Sequence, residues 1–157
     1  MADERKYYLT KERLIRLKAE YRHLNKIKAS KTKGEFPRFL HSEDLNSEYL
    51  SFYEDLGFLE TRLAELKTII RDSELIKIPS KGERNIVNLG ATVLVEVDGQ
   101  TDEFTILGSL EANPTLGKIS NESPVGKAIL GHRVGEEIFI SSPVEVVYKI
   151  KKIRYIS

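Results

Sequence analysis

Leu45, Tyr49, Phe52, Leu56, Leu59, Leu63, Leu66 and Ile70 follow one another at alternating steps of four and three without a break. No other feature of the chain constrains its fold as strongly. A seam with this spacing is the apolar stripe of an α-helix that packs lengthwise against another helix. From Tyr49 to Ile70 the helix rises roughly 33 Å, at about 1.5 Å per residue. Its partner lies earlier in the chain. Thr10 is placed to cap a helix, and Leu14, Leu17, Tyr21 and Leu24 follow at steps of three, four and three. The first helix folded back antiparallel on the second gives a long, thin arm with little globular core.

The two helices differ in charge. Thr10 to Arg38 carries ten Lys or Arg against three acidic residues, and Leu45 to Leu75 carries seven acidic residues against three basic ones. Such helices can pair across their flanking positions. Alternatively Lys26, Lys28, Lys31 and Lys33, in a stretch with almost no acid, face nucleic-acid phosphate or an acidic protein surface. Gly34 and Pro37 end the first helix before the turn, because proline cannot continue an interior hydrogen-bond ladder. The tip of the arm therefore lies near 34–48. Phe36, Phe39 and Leu40 either cap the end of the coiled coil or form a contact surface. In the same loop Glu43 and Asp44 set two carboxylates side by side. Carboxylates with waters are what Mg²⁺ prefers, and one or two of them hold it only weakly. Such a pair becomes useful when a second protein supplies the remaining ligands.

The chain changes character near "KIPSKGERN", where helical spacing gives way to alternation. We expect a boundary there, with a coiled coil over 1–78 and a compact domain over 79–157. In "GATVLVEVDGQTDEFTIL", Ala91, Val93, Val95 and Val97 share one strand face, and Asp98-Gly99 supplies a two-residue turn. "EEIFIS" and "VEVVYKIKKI" give two further strands, the second pointing Val146, Tyr148 and Ile150 inward. In "SPVGKAILG", Ser123 can cap a short helix, Pro124 fits its first position and Gly131 fits just past its end. The expected class is α+β: a helical hairpin followed by a small antiparallel sheet with one short helix. Leu94, Phe104, Ile129, Leu130, Ile138 and Ile140 are its expected core.

Several chemistries are excluded or unsupported. The chain has no cysteine, which removes disulfides, thiol catalysis and Cys-based zinc sites. His23, His41 and His132 lie in a helix, the tip and a turn, and no motif joins them to a serine. No glycine-rich phosphate loop is present. The net charge of +1 sets up no global field toward nucleic acid or membrane. No apolar run approaches the roughly 20 residues that cross a bilayer, so the expected location is the cytoplasm. The seam is satisfied within one chain, and a monomer is expected.

"LTKERLIRLKAEYRHL", "DLNSEYLSFYEDLGFLETRLAELKTII", "LGATVLVEV" and above all "GKISNESPVGKAILGHRVGEEIFISSP" resemble the Gre family of bacterial transcription elongation factors. The resemblance implies an N-terminal antiparallel coiled coil and a C-terminal FKBP-like domain. It also implies a partner. The globular domain would dock on RNA polymerase at the rim of its secondary channel, with Lys127, Arg133, Ser123 and Pro124 as expected contacts. The arm would reach past nascent RNA and DNA to the catalytic centre. There Glu43 and Asp44 would help hold a Mg²⁺ shared with the polymerase, which itself cleaves backtracked RNA. The factor would be no enzyme on its own and would bind no cofactor stably. The family's tip normally reads Asp-Leu-x-Glu-Asn-x-Glu-Tyr. Here Asp44-Leu45 runs directly into Asn46-Ser47-Glu48-Tyr49, two residues short. Anchored on Asp44-Leu45, the second acid's place falls on Ser47; anchored on Asn46 to Tyr49, the two acidic places fall on Ser42 and Leu45, and neither alignment restores the pair. Two expectations follow from that shortening. Either Glu43 substitutes for the lost acid, or the protein occupies the channel without promoting cleavage and acts as a regulator or inhibitor.

Overall fold

The computed structural model describes residues 6–33, 47–141 and 144–155, apart from the side chains of Ser47 and Tyr49. By contacts the chain divides into two compact units, Leu14–Asp72 and Met1–Arg13 with Ser73–Ser157.

The first unit is built on two helices, α1 (Lys11–Lys33) and α2 (Ser47–Arg71). Side-chain pairs fix their direction: Lys31 meets Asp55, Lys28 meets Glu60, and Glu20 meets Arg62. Numbers rising along one helix meet numbers falling along the other, so the helices are antiparallel. The expected seam is the contact. Leu17, Leu63 and Leu66 are buried, and Phe52, Leu56, Leu59 and Ile70 are half-buried. Ile69, off the seam by one residue, is buried as well. Each fully buried leucine contributes about 1.5–3 kcal/mol, which makes the seam the main stabiliser of the hairpin. Arg62 adds a fork. Its Nε and Nη2 donate to the two carboxylate oxygens of Glu20 at 2.8 and 3.1 Å, and its Nη1 lies 3.2 Å from Glu65.

α1 starts as expected. Thr10 Oγ1 accepts from the Arg13 N–H at 3.2 Å. A capping box would place an acid three residues on to receive the cap's own N–H, but that position holds Arg13. Glu111 takes the role from a distant 3₁₀ turn, Ser109–Glu111. Its carboxylate accepts from the Thr10 N–H at 2.8 Å and the Thr10 hydroxyl at 2.6 Å.

The second unit contains a five-stranded sheet. In chain order its strands are β3 (Ala91–Val97), β4 (Gln100–Leu107), β5 (Lys118–Ser120), β6 (Glu137–Ile140) and β7 (Val146–Tyr155). In space they run β5-β4-β3-β7-β6. Asp98 and Gly99 both have positive φ, 51° and 76°, the geometry that a tight hairpin demands. The sheet is mixed, since β5 joins β4 in parallel. Two strands unmarked by any periodicity, β1 (Tyr7–Leu9) and β2 (Ser73–Leu75), form a separate parallel pair that flanks the hairpin in sequence.

One core gathers Val87, Ala91, Val93, Val95, Phe104, Ile106, Ile129, Ile138, Ile140 and Ile150. Leu130 packs on it half-buried. Leu94 is not part of this core, and the expectation that it would be is corrected. It stands at the opposite parity from Val93 and Val95, and shares the other sheet face with its register partners Glu103 and Lys152. In β7 the alternation slips. Leu94 pairs with Lys152 but Val95 pairs with Ile150, so Lys151 is an extra residue. This bulge returns Ile153 and Tyr155 to the core face. The Tyr155 hydroxyl donates to the Ile86 carbonyl at 2.6 Å and accepts from the Asn88 N–H at 2.9 Å. Burial pushes its pKa up, so it keeps its proton through the ordinary pH range.

Candidate functional site

The residues singled out from the sequence fall in two stretches, one in each unit. In the hairpin, Glu43 and Asp44 lie outside the described residues, as do Phe36, Phe39, Leu40 and His41. The four lysines leading to them separate into two kinds. Lys28 lies 3.7 Å from Glu60, and Lys31 lies 3.5 Å from Asp55 and 5.8 Å above the Phe52 ring centre. Both are engaged in pairing the helices. Lys26 and Lys33 are exposed and, among the described residues, make no ion pair. Exposed pairs of this kind are worth at most about 1 kcal/mol, so a stronger anion can draw Lys28 and Lys31 away.

In the second unit, Ser123, Pro124, Lys127 and Arg133 lie on and just after a third helix, α3 (Pro124–Ile129). The Ser123 hydroxyl accepts from the Gly126 N–H at 3.1 Å and donates to the Ser120 carbonyl at 2.6 Å. Pro124 occupies the first helical position and Gly131 follows the helix at φ 85°. A side chain at Gly126 would sit 2.1 Å from the Ser120 carbonyl oxygen, so only glycine allows this approach. Ser123, Gly126 and Gly131 are thus accounted for by backbone geometry. Lys127 and Arg133 are exposed and available for contact.

Among the described residues, His23 and His132 form no catalytic system. His132 Nδ1 lies 2.5 Å from Glu136 Oε2, and the Arg133 N–H donates to Oε1 at 3.2 Å. These bonds, the histidine's foremost, hold the Glu136 carboxyl below its ordinary range. Among the described residues no three His, Cys, Asp or Glu side chains cluster as metal ligands. None of their helices is long and apolar enough to cross a membrane.

One feature of the hairpin went unread in the sequence. Lys18, Tyr21 and Arg22 of α1 and Lys67, Ile70 and Arg71 of α2 line a single open cleft of about 310 Å³. The signal was present twice, in "KAEYR" and "KTIIR". Only the antiparallel register brings the two copies together.

Residues 7–75 match the family model described as the N-terminal domain of transcription elongation factors. Residues 82–155 match the model described as the C-terminal domain of the transcription elongation factors GreA and GreB. A helical hairpin joined to a small sheet-and-helix domain, matched over both parts, defines the class: a transcription elongation factor. The chain belongs to the GreA/GreB family. It is 39% identical to the transcription elongation factor GreA of Thermomicrobium roseum, over 86% of this chain and 88% of that protein. It is 37% identical to GreA of Halalkalibacterium halodurans, over 98% of this chain and all (100%) of that protein. The crystal structure of GreA factor homolog 1 of Thermus thermophilus aligns at 25% identity with a TM-score of 0.42, over 96% of this chain and 99% of that one.

Proposed function

We propose that this elongation factor binds bacterial RNA polymerase through the secondary channel and stimulates the polymerase to cleave backtracked RNA. The sheet domain docks through the exposed Lys127 and Arg133, beside the Ser123–Pro124 turn. The hairpin carries the tip into the channel past nascent RNA and DNA, and Lys26 and Lys33 face the nucleic acid. Glu43 and Asp44 then supply carboxylate oxygens to a Mg²⁺ that the polymerase also holds. Oxygen donors suit that ion, which when bound polarises phosphate oxygens and activates water. Two carboxylates are too few to hold it alone. In this reading the factor catalyses nothing by itself.

The observation that carries the proposal is the family match over both units, together with a paired acid in the sequence between the two helices. A second reading rests on the tip's being two residues short, so that neither alignment with the family's tip restores both acids. There the protein occupies the channel without promoting cleavage, as a regulator or inhibitor. Backtracked elongation complexes with end-labelled RNA and Mg²⁺ separate the two. Release of short fragments by the wild type, lost in the Glu43→Ala, Asp44→Ala double variant, is the expected result. Binding and slowed elongation without fragments would replace it with the second reading.

A further inference from the structure

We propose that the groove between α1 and α2 seats a third helix, an acidic amphipathic helix of the polymerase on which the factor docks. This rests on the reading that polymerase is the partner. Ile15, Lys18, Arg22, Lys26, Ala29 and Lys33 follow one another at steps of three, four, four, three and four, and all six are exposed. At about 100° per residue they fall within roughly 80° of the circumference of α1. They form a second stripe beside the seam, with the spacing by which helices pack lengthwise. Neither acid of α1, Glu12 or Glu20, falls on it. Across the groove, Lys67, Ile70 and Arg71 of α2 line the cleft with Lys18, Tyr21 and Arg22. The acid that α2 turns toward the same side, Glu60, lies 3.7 Å from Lys28. Arg71 is closed on Asp72 at 3.0 and 3.1 Å. Among the described residues Lys18, Arg22, Lys26, Lys33 and Lys67 make no ion pair, so their charge is open to a partner.

The lining decides the occupant. Most of the cleft's exposed surface is apolar, from Tyr21, Ile70 and the stems of the long basic side chains. The stripe is mixed as well: Ile15, 55% exposed, and the small Ala29 interrupt its cations. A single-stranded nucleic acid asks for a succession of aromatic platforms beside its phosphate contacts. The cleft offers one ring, Tyr21, half-buried. An amphipathic helix uses both features at once. Its apolar residues enter the cleft and rest on Ile15 and Ala29, and its flanking residues meet the cations. Charge complementarity makes those flanking residues Asp and Glu. From Ile15 to Lys33 the stripe runs roughly 27 Å at about 1.5 Å per residue, the length of about five turns of the docking helix.

The test uses the full chain with core polymerase, first free of nucleic acid and then as an elongation complex. A photo-cross-linking phenylalanine analogue is placed at Ile15, at Ala29 and, on the far side of α2, at Phe58. Ile15 and Ala29 are expected to capture one acidic helical segment of polymerase, identified by mass spectrometry, that Phe58 does not capture. Lys18→Glu, Arg22→Glu and Lys67→Glu together should weaken binding about tenfold or more. Reversing the acids of the captured segment to lysine should restore it. Circular dichroism checks that each variant is folded. Capture of the same segment from Phe58 would overturn the proposal, as would a bound factor that captures nothing from Ile15 and Ala29. So would cross-links from the groove that go to RNA in the elongation complex, which would make it a nucleic-acid track. Absence of wild-type binding to polymerase would overturn the reading above together with this one. Wild-type binding left intact by the triple reversal would overturn this one alone.

Discussion

Glu136 illustrates how much single residues here depend on proton balance. The contact with His132 and the Arg133 N–H hold its carboxyl below the ordinary value of 4.5. A depressed folded-state value means stabilisation that is present above the unfolded value and lost as pH falls through the folded one. Asp72, held down by Arg71, and Glu96, held down by Lys151, act in the same direction. Glu136→Gln should therefore lower the urea midpoint at about pH 6, and the gap to wild type should close by about pH 3. A gap of constant size would mean that only packing had changed. Much at this scale was legible, since Thr10, Ser123, Asp98-Gly99 and Gly131 each use a local rule that needs no knowledge of the fold. Leu94 was legible too, since the alternation that turns Val93 and Val95 inward turns it to the other face; Lys151 was not, because nothing in "VVYKIKKI" marks where the bulge falls.

Among the elements, α3 depends most on one position. Gly126→Ala puts a methyl group against the Ser120 carbonyl, and backbone cannot give way as a flexible side chain can. The expected cost is about 2–3 kcal/mol in urea unfolding. Gly82→Ala, with nothing within 4 Å of its added methyl group, should stay within about 0.5 kcal/mol of wild type. Equal effects would place the cause in glycine's backbone freedom rather than in the close approach. The α1–α2 seam was legible because its period persists for many turns. β1 and β2 have three residues each, too few to express any period, and their pairing is visible only once the hairpin is closed. The same holds for the basic cleft, whose halves lie far apart in sequence. The tip acids were legible as a motif, and their placement lies outside the described residues.

At the scale of the molecule, the sheet unit is discontinuous in sequence, drawing Met1–Arg13 from one side of the hairpin and Ser73–Ser157 from the other. Leu9, fully buried at 0% exposure, and the Thr10–Glu111 bonds belong to it although they precede α1. A fragment of residues 79–157 should therefore unfold at a clearly lower urea concentration than the same strands in the whole chain, by about 2–5 kcal/mol for the loss of Leu9 alone. Amide exchange in β3 and β4 measures this, and equal protection in fragment and whole chain would refute it. The order of synthesis gives the discontinuity a further consequence. A ribosome delivers β1 before β2, and β1 lacks its pairing partner until Ser73–Leu75 emerges. Meanwhile α1 and α2 can zip together through contacts local to the hairpin, which holds down the entropy of closing so long a loop. The helical arm is then a folding clamp before it is a tool: it delivers β1 to the place where the rest of its unit is made.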